Sequence, residues 1–148
     1  MTNFIGEYSA KIDDKGRLVF PSPFKSLCEE SISEGFVLQK SLYANCLEMR
    51  QMSAWMEESK QILSRLNLFN PDHDRFWREY TRNRAIVIPD AKFGRISIPK
   101  ELLSSINASK DVVFCGRDFK IEIWSKESYE ASRLSTEDFV NLAQSILG

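Results

Sequence analysis

The chain repeats itself: Lys15-Gly16-Arg17-Leu18-Val19-Phe20-Pro21 returns 78 residues later as Phe93-Gly94-Arg95-Ile96-Ser97-Ile98-Pro99. In each copy a Gly-Arg pair precedes three strand-forming positions and a proline, so a tight turn presents an arginine at the root of a strand. Any fold for this chain must accommodate two copies of one unit and must place two equivalent arginines.

The flanks match as well, which chance heptads rarely do. Phe24 answers to Leu102 and Cys28 to Ile106, giving each copy a short proline-led helical turn with one apolar side. Phe36-Val37-Leu38 then corresponds to Val112-Val113-Phe114, Leu47-Glu48-Met49 to Ile121-Glu122-Ile123, and Trp55 to Tyr129, the offset falling from 78 to 76 to 74 as loops shorten. Each unit reads strand, turn, strand, helical turn, strand, strand, helix. The expected organisation is repeat one over 7–54, connecting helices over 55–82, repeat two over 83–126 and a helical tail over 127–148.

A lone half of about 50 residues would be marginal, whereas a chain of this length buries roughly two-thirds of its unfolded surface, so the two copies are expected to share a core. Apolar residues at 43% and charged residues at 28% are ordinary for a globular protein, and no low-complexity linker separates the halves. The first residues show neither a basic leader nor an apolar stretch, and no later segment is long enough to cross a bilayer, so neither secretion nor membrane insertion is expected. Cys28, Cys46 and Cys115 form no CxxC pair and read as small apolar packing residues of a reducing, cytosolic-type compartment.

A net charge of −1 argues against nucleic acid until its distribution is considered. Residues 75–100 hold seven bases against two acids, and residues 121–148 hold five acids against two bases. The chain reads as polarised.

Along the chain, a β-hairpin is expected over 8–20, turning at a glycine that tolerates positive φ. Ala85-Ile86-Val87-Ile88 is apolar throughout and predicts a strand covered on both faces, deep in the core. Met52, Trp55, Met56, Ser59, Ile62, Leu63 and Leu66 fall at helical spacing over about 51–67. Asn70-Pro71-Asp72 breaks that helix and starts a second one, on which Phe76, Trp77 and Tyr80 cluster. Beside Arg75 and Arg78 these aromatics invite a nucleic-acid reading, but helical spacing favours a packing surface against the sheet or a neighbouring subunit. Ser135 with Asp138 starts a last helix, whose stripe of Phe139, Leu142, Ala143 and Ile146 needs a surface to lie on.

In their order and spacing, Gly6-Glu7-Tyr8, Asp13-Asp14-Lys15-Gly16-Arg17 with Pro21, Gly94-Arg95 with Pro99, and Ile121-Glu122-Ile123-Trp124-Ser125 resemble the MraZ family, built from two tandem domains of the SpoVT-AbrB type. The resemblance implies an α+β, β-rich fold: a pseudo-two-fold, swapped-hairpin β-barrel with flanking and C-terminal helices. It also implies a cytoplasmic, nucleoid-associated regulator, forming ring-shaped homo-oligomers on double-stranded DNA with repeated promoter boxes and acting on the division and cell-wall operon. Repression is the expected sign, since a covered promoter is less open to polymerase.

In that family a DxxxR turn carries recognition, which matches here as Asp13 and Arg17. A carboxylate beside a guanidinium can aim its planar fork before DNA arrives, leaving Arg17 to meet phosphate or a guanine edge. The expected DNA-binding set is Arg17, Arg95, Lys15, Lys92, Asp13, Gly16 and Gly94, with the lysines on phosphates. The second turn departs from the pattern: Ala91 stands four before Arg95, and Asp90 is displaced by one residue. One step along an extended strand reverses the face, so Asp90 is not expected to partner Arg95 unless a bulge rotates it back, and Arg95 is expected to supply mainly field and phosphate contact.

Two other readings compete. An enzyme is disfavoured, because His73 is the only histidine and no triad, metal-ligand set or phosphate loop is present. His73 is expected at the surface, and with neighbouring Asp72 and Asp74 it does not converge into a metal site. Neither cofactor nor metal is expected. A non-DNA-binding structural or protein-interaction ring, with the basic segment of one copy meeting the acidic tail of the next, remains the alternative.

Overall fold

The computed structural model describes residues 2–148. Repeat one supplies β1 (Glu7–Lys11), β2 (Arg17–Val19), α1 (Ser22–Leu27), β3 (Phe36–Lys40) and β4 (Leu47–Gln51). Two connecting helices follow, α2 (Met52–Ser64) and α3 (Pro71–Tyr80). Repeat two supplies β5 (Ala85–Val87), β6 (Arg95–Ser97), α4 (Lys100–Ser105), β7 (Asp111–Arg117) and β8 (Lys120–Ser125), before α5 (Lys126–Ala131) and α6 (Thr136–Leu147). The fold is α+β with antiparallel pairing throughout.

Strand order in the six-stranded sheet is β1-β7-β8-β4-β3-β5, with β2 and β6 forming a separate two-stranded ribbon. The order is a palindrome of equivalent strands. Each repeat's first strand lies on the third strand of the other, and the two fourth strands meet at the centre, where Glu48 faces its own counterpart Glu122. In the ribbon Leu18 faces its counterpart Ile96. A pseudo-two-fold axis thus passes through both pairs. The sheet does not close on itself; the ribbon's inner residues cover its inner face.

Two expectations are corrected here. β1 and β2 are not partners, because β1 pairs with β7 and β2 with β6; the segment over 8–20 turns sharply, but its arms diverge into different sheets. β5 is an edge strand, not a central one. Val87 is buried, but Ile86 and Ile88 are 62% and 53% exposed, so the apolar run has one core face and one open face.

The main core is one cluster drawn from both repeats, including Leu18, Phe20, Phe36, Leu38, Leu47 and Met49 with Ile96, Ile98, Phe114, Ile121 and Ile123, and a smaller second cluster joins Cys46 to Val113, Cys115 and Trp124. Phe20, at the end of the ribbon, ties the layers together: its ring centroid lies 5.2 Å from that of Phe36 and 6.1 Å from that of Phe114. The first pair is tilted and the second edge-on, and edge-on aromatic pairs add about 0.5–1.5 kcal/mol beyond the area they bury. All three cysteines are buried and unpaired, and burial pushes the Cys46 thiol up to about 12.

The outer face of the sheet carries charge instead. Arg50, 3% exposed, donates to Glu58 of α2 and pairs with Glu48 at 2.9 Å, while the Lys120 ammonium reaches the other Glu48 oxygen at 3.0 Å. These pairs pin α2 to β4 and β4 to β8. Of the aromatics on α3, Trp77 and Tyr80 pack on Arg84, which lies 5.4 Å from the Trp55 and Trp77 rings and 5.1 Å from Tyr80, while Phe76 stacks on Tyr80 and stays exposed. Helix α6 starts as expected, with the Ser135 side chain accepting from the Asp138 N–H, but its stripe remains open in the protomer, Phe139 being 64% and Ile146 75% exposed.

Replacing Phe20 with alanine removes the side chain that joins ribbon to sheet and is expected to cost about 3–5 kcal/mol in urea denaturation. A cost under about 1 kcal/mol, the range of surface substitutions, would contradict a shared core.

Candidate nucleic-acid interface

The first turn is built around one carboxylate. Asp13 Oδ1 accepts the backbone N–H groups of Lys15 at 2.9 Å and Arg17 at 2.8 Å, and Oδ2 accepts the Arg17 Nε–H at 2.7 Å. The backbone closes the loop with Asp13 N–H to the Arg17 carbonyl and Gly16 N–H to the Asp13 carbonyl, both 3.0 Å. Gly16 takes φ +77°, where a side chain would be strained. The result is an arginine aimed by its own turn. The backbone N–H of Arg17 and its guanidinium, with the Lys15 N–H, hold the Asp13 carboxyl below the usual carboxylate range against partial desolvation.

The second turn repeats this with one residue more, and Asp90 does take the place of Asp13. Its N–H donates to the Arg95 carbonyl at 2.9 Å, its carbonyl accepts from Gly94 at 2.9 Å, and Gly94 has φ +65°. The sheet register explains why the expectation failed. Ala10 on Val112 and Val87 on Phe36 are equivalent pairs, an offset of 77 before the turns, whereas Gly16 and Gly94 differ by 78. The extra residue therefore lies inside the turn, where the alternation rule for extended strands does not apply. Asp90 Oδ1 accepts the Phe93 N–H at 2.6 Å and Oδ2 the Arg95 N–H at 3.0 Å, leaving the Arg95 Nε 3.5 Å from Oδ2. The Phe93 and Arg95 N–H groups hold the Asp90 carboxyl low as well.

The ribbon locks both turns together. Phe20 N–H donates to the Gly94 carbonyl at 2.8 Å and Ile98 N–H to the Gly16 carbonyl at 3.1 Å, so each turn is fastened by the other repeat. In the ladder Arg17 faces Ser97 and Val19 faces Arg95, with Leu18 and Ile96 directed to the core. Both arginines therefore leave the same outer face as diagonal neighbours, an arrangement that sets residues about 7–8 Å apart. Arg17, Lys92, Phe93 and Arg95 line one cleft of about 490 Å³. Lys15 and Asp13 are exposed beside it, Gly16 is half-buried and Gly94 is buried. Lys25 of α1 approaches Gly94 and adds a cation at the second turn.

The basic segment is less free than its sequence implies. Arg75 is paired with Asp72, Arg78 with Asp74 at 2.6 Å and Arg82 with Glu79 at 3.0 Å, two of the acids lying just ahead of the stretch counted. His73 is half-buried, not exposed, and its Nδ1 accepts the Asn67 N–H at 2.9 Å, tying the α2–α3 loop. Among the described residues no cluster of His, Cys, Asp or Glu is placed to hold a metal ion, and no helix is long and apolar enough to cross a membrane.

Residues 3–79 and 86–145 match the family described as "MraZ protein, putative antitoxin-like". The chain belongs to the MraZ family. It is 38% identical to the transcriptional regulator MraZ of Flavobacterium psychrophilum over 100% of this chain and 94% of that protein. It is 36% identical to the protein of the same name from Bacteroides thetaiotaomicron, over 94% of this chain and 88% of that one, and 36% identical to that of Clostridium tetani, over 95% and 94%. MraZ proteins are named here for regulation, not catalysis, and the enzyme reading is set aside.

Because the folded turn lowers the Asp13 pKa, the carboxylate's contribution is present at neutral pH and is lost only as pH falls through that depressed value. The Lys15 and Arg17 amide resonances are expected to keep their positions through the ordinary aspartate range and move below it, with the transition absent in Asp13→Asn. Movement at the ordinary value would contradict the hydrogen-bonded turn.

Proposed function

We propose that this chain is a sequence-specific DNA-binding transcriptional regulator, a repressor that acts on its own division and cell-wall operon among other targets. It binds repeated promoter boxes as a ring-shaped homo-oligomer in the nucleoid-associated cytoplasm. The observation that carries the reading is the pair of buttressed arginines on one outward face. A separation of about 7–8 Å between diagonal positions is on the order of two base-pair steps of 3.4 Å, so both guanidinium forks can address one groove. Arg17 and Arg95 are the base-reading pair, Lys15 and Lys92 contact phosphates, and Asp13 with Gly16 and Gly94 shapes the turns.

One protomer displays only two such forks, so tight binding requires several protomers on correspondingly spaced boxes. The open apolar surfaces support self-association: Ile86 and Ile88 beside the free edge of β5, and the uncovered stripe of α6. The alternative ring without DNA depends on free cations in residues 75–100, and the in-chain pairs of Arg75, Arg78 and Arg82 remove much of that support.

Fluorescence anisotropy with a duplex from the chain's own upstream region, against a shuffled duplex across a salt series, tests this. The parent is expected to keep its preference as salt rises. Arg17→Ala and Arg95→Ala are each expected to lose about 1–3 kcal/mol of that preference. Equal binding to both duplexes by the parent, or a stable monomer in light scattering, would contradict the proposal.

A further inference from the structure

The extra residue of the second turn is Phe93, and the chemistry around it differs from the first turn in one respect. In the first turn the carboxylate has an oxygen left for the guanidinium, and Arg17 Nε takes it at 2.7 Å. In the longer turn both Asp90 oxygens accept backbone N–H groups, and Arg95 Nε is buried without a hydrogen bond. The Arg95 guanidinium carbon instead lies 4.5 Å from the centroid of the Phe93 ring, and the Lys92 ammonium lies 5.1 Å from the same ring. Phe93 is 55% exposed, so the core does not account for its position. The first turn has no counterpart, since Lys15 is followed directly by Gly16.

We propose that Phe93 is the positioning residue of the second turn: its ring face holds the Arg95 guanidinium, in place of the side-chain hydrogen bond that Arg17 donates to Asp13. This rests on the DNA-reading role of the two arginines. A guanidinium over an aromatic face keeps its N–H edge free, whereas one bonded to a carboxylate surrenders an N–H. With its Nε buried 3.5 Å from Asp90 Oδ2, Arg95 thereby keeps its four terminal N–H donors for the duplex. Both turns present an oriented fork, one aimed by charge and the other by stacking, and Lys92 of the same turn shares the ring. Because Phe93 carries no charge, it acts on the orientation of Arg95 and leaves the count of phosphate contacts unchanged.

The test is a set of variants titrated with the upstream and shuffled duplexes. Phe93→Ala is expected to weaken binding to the upstream duplex by about two- to fivefold, the worth of one exposed cation–π contact, with the same salt slope and thermal midpoint as the parent. Phe93→Leu, which keeps apolar bulk without a ring face, is expected to match Phe93→Ala, and Phe93→Trp to restore parental binding. In an Arg95→Ala background Phe93→Ala should cost nothing further, whereas in an Arg17→Ala background its full effect should persist. Parental binding by Phe93→Leu, or an undiminished Phe93→Ala loss without Arg95, would overturn the positioning role. If Arg95→Ala itself binds like the parent, the DNA-reading role fails instead, which separates the two conclusions.

Discussion

Neither repeat can complete its own sheet. β1 finds its hydrogen-bonding partner only in β7, and β5 only in β3, so every ladder hydrogen bond those edge strands make depends on the other copy. That exchange forces the two units into one core and fixes the relation between their turns. The same dependence recurs in the ribbon, where each turn glycine's carbonyl is satisfied by the other repeat. The arginines are therefore set by long-range pairing, with little freedom left to the loops themselves. Sites carried on paired strands hold their geometry better than sites on free loops, which suits the role proposed for this surface on a stiff duplex.

Within that frame, two turns reach one end by different forces. A five-residue turn leaves a carboxylate oxygen for its arginine; a six-residue turn spends both oxygens on backbone N–H groups and turns to an aromatic ring. The one-residue difference between the turns thus goes with a different means of holding the arginine, on the same face of the ribbon. The charge of the molecule follows the same economy. Cations on α3 are matched to acids on the same helix, the buried Arg50 and half-buried Lys120 are matched to Glu48 and Glu58, and each turn arginine has its own aspartate, which leaves Lys15 and Lys92 as exposed cations beside the two turns.

Much of this was readable from residues. The duplicated Gly-Arg turn, the shared core, the helix after Asn70 and the cap at Ser135 all follow from local signals that tertiary structure reinforced. Three features were not readable, each for a physical reason. Local pattern names strands but not their partners, so consecutive strands over 8–20 read as a hairpin when their partners lie about 80 residues or more away. An apolar run such as 85–88 looks central whether its second face meets a core or an open edge. Aligning the repeats by their Gly-Arg pair hid the insertion, which only the strand register before the turn reveals; the order of Asp90, Lys92 and Phe93 in the sequence contained the signal, but not the rule for counting it. The neutralisation of Arg75 and Arg78 was partly legible, since Asp72 and Asp74 stand at helical spacing from them.

The most direct measurement is the structure of the assembled protein bound to a duplex from its own upstream region. The account predicts the β2–β6 ribbon against a groove, with the Arg17 and Arg95 guanidinium groups within hydrogen-bonding distance of base edges. A duplex lying instead along α3, or against the outer face of the sheet with both turns in solvent, would contradict it.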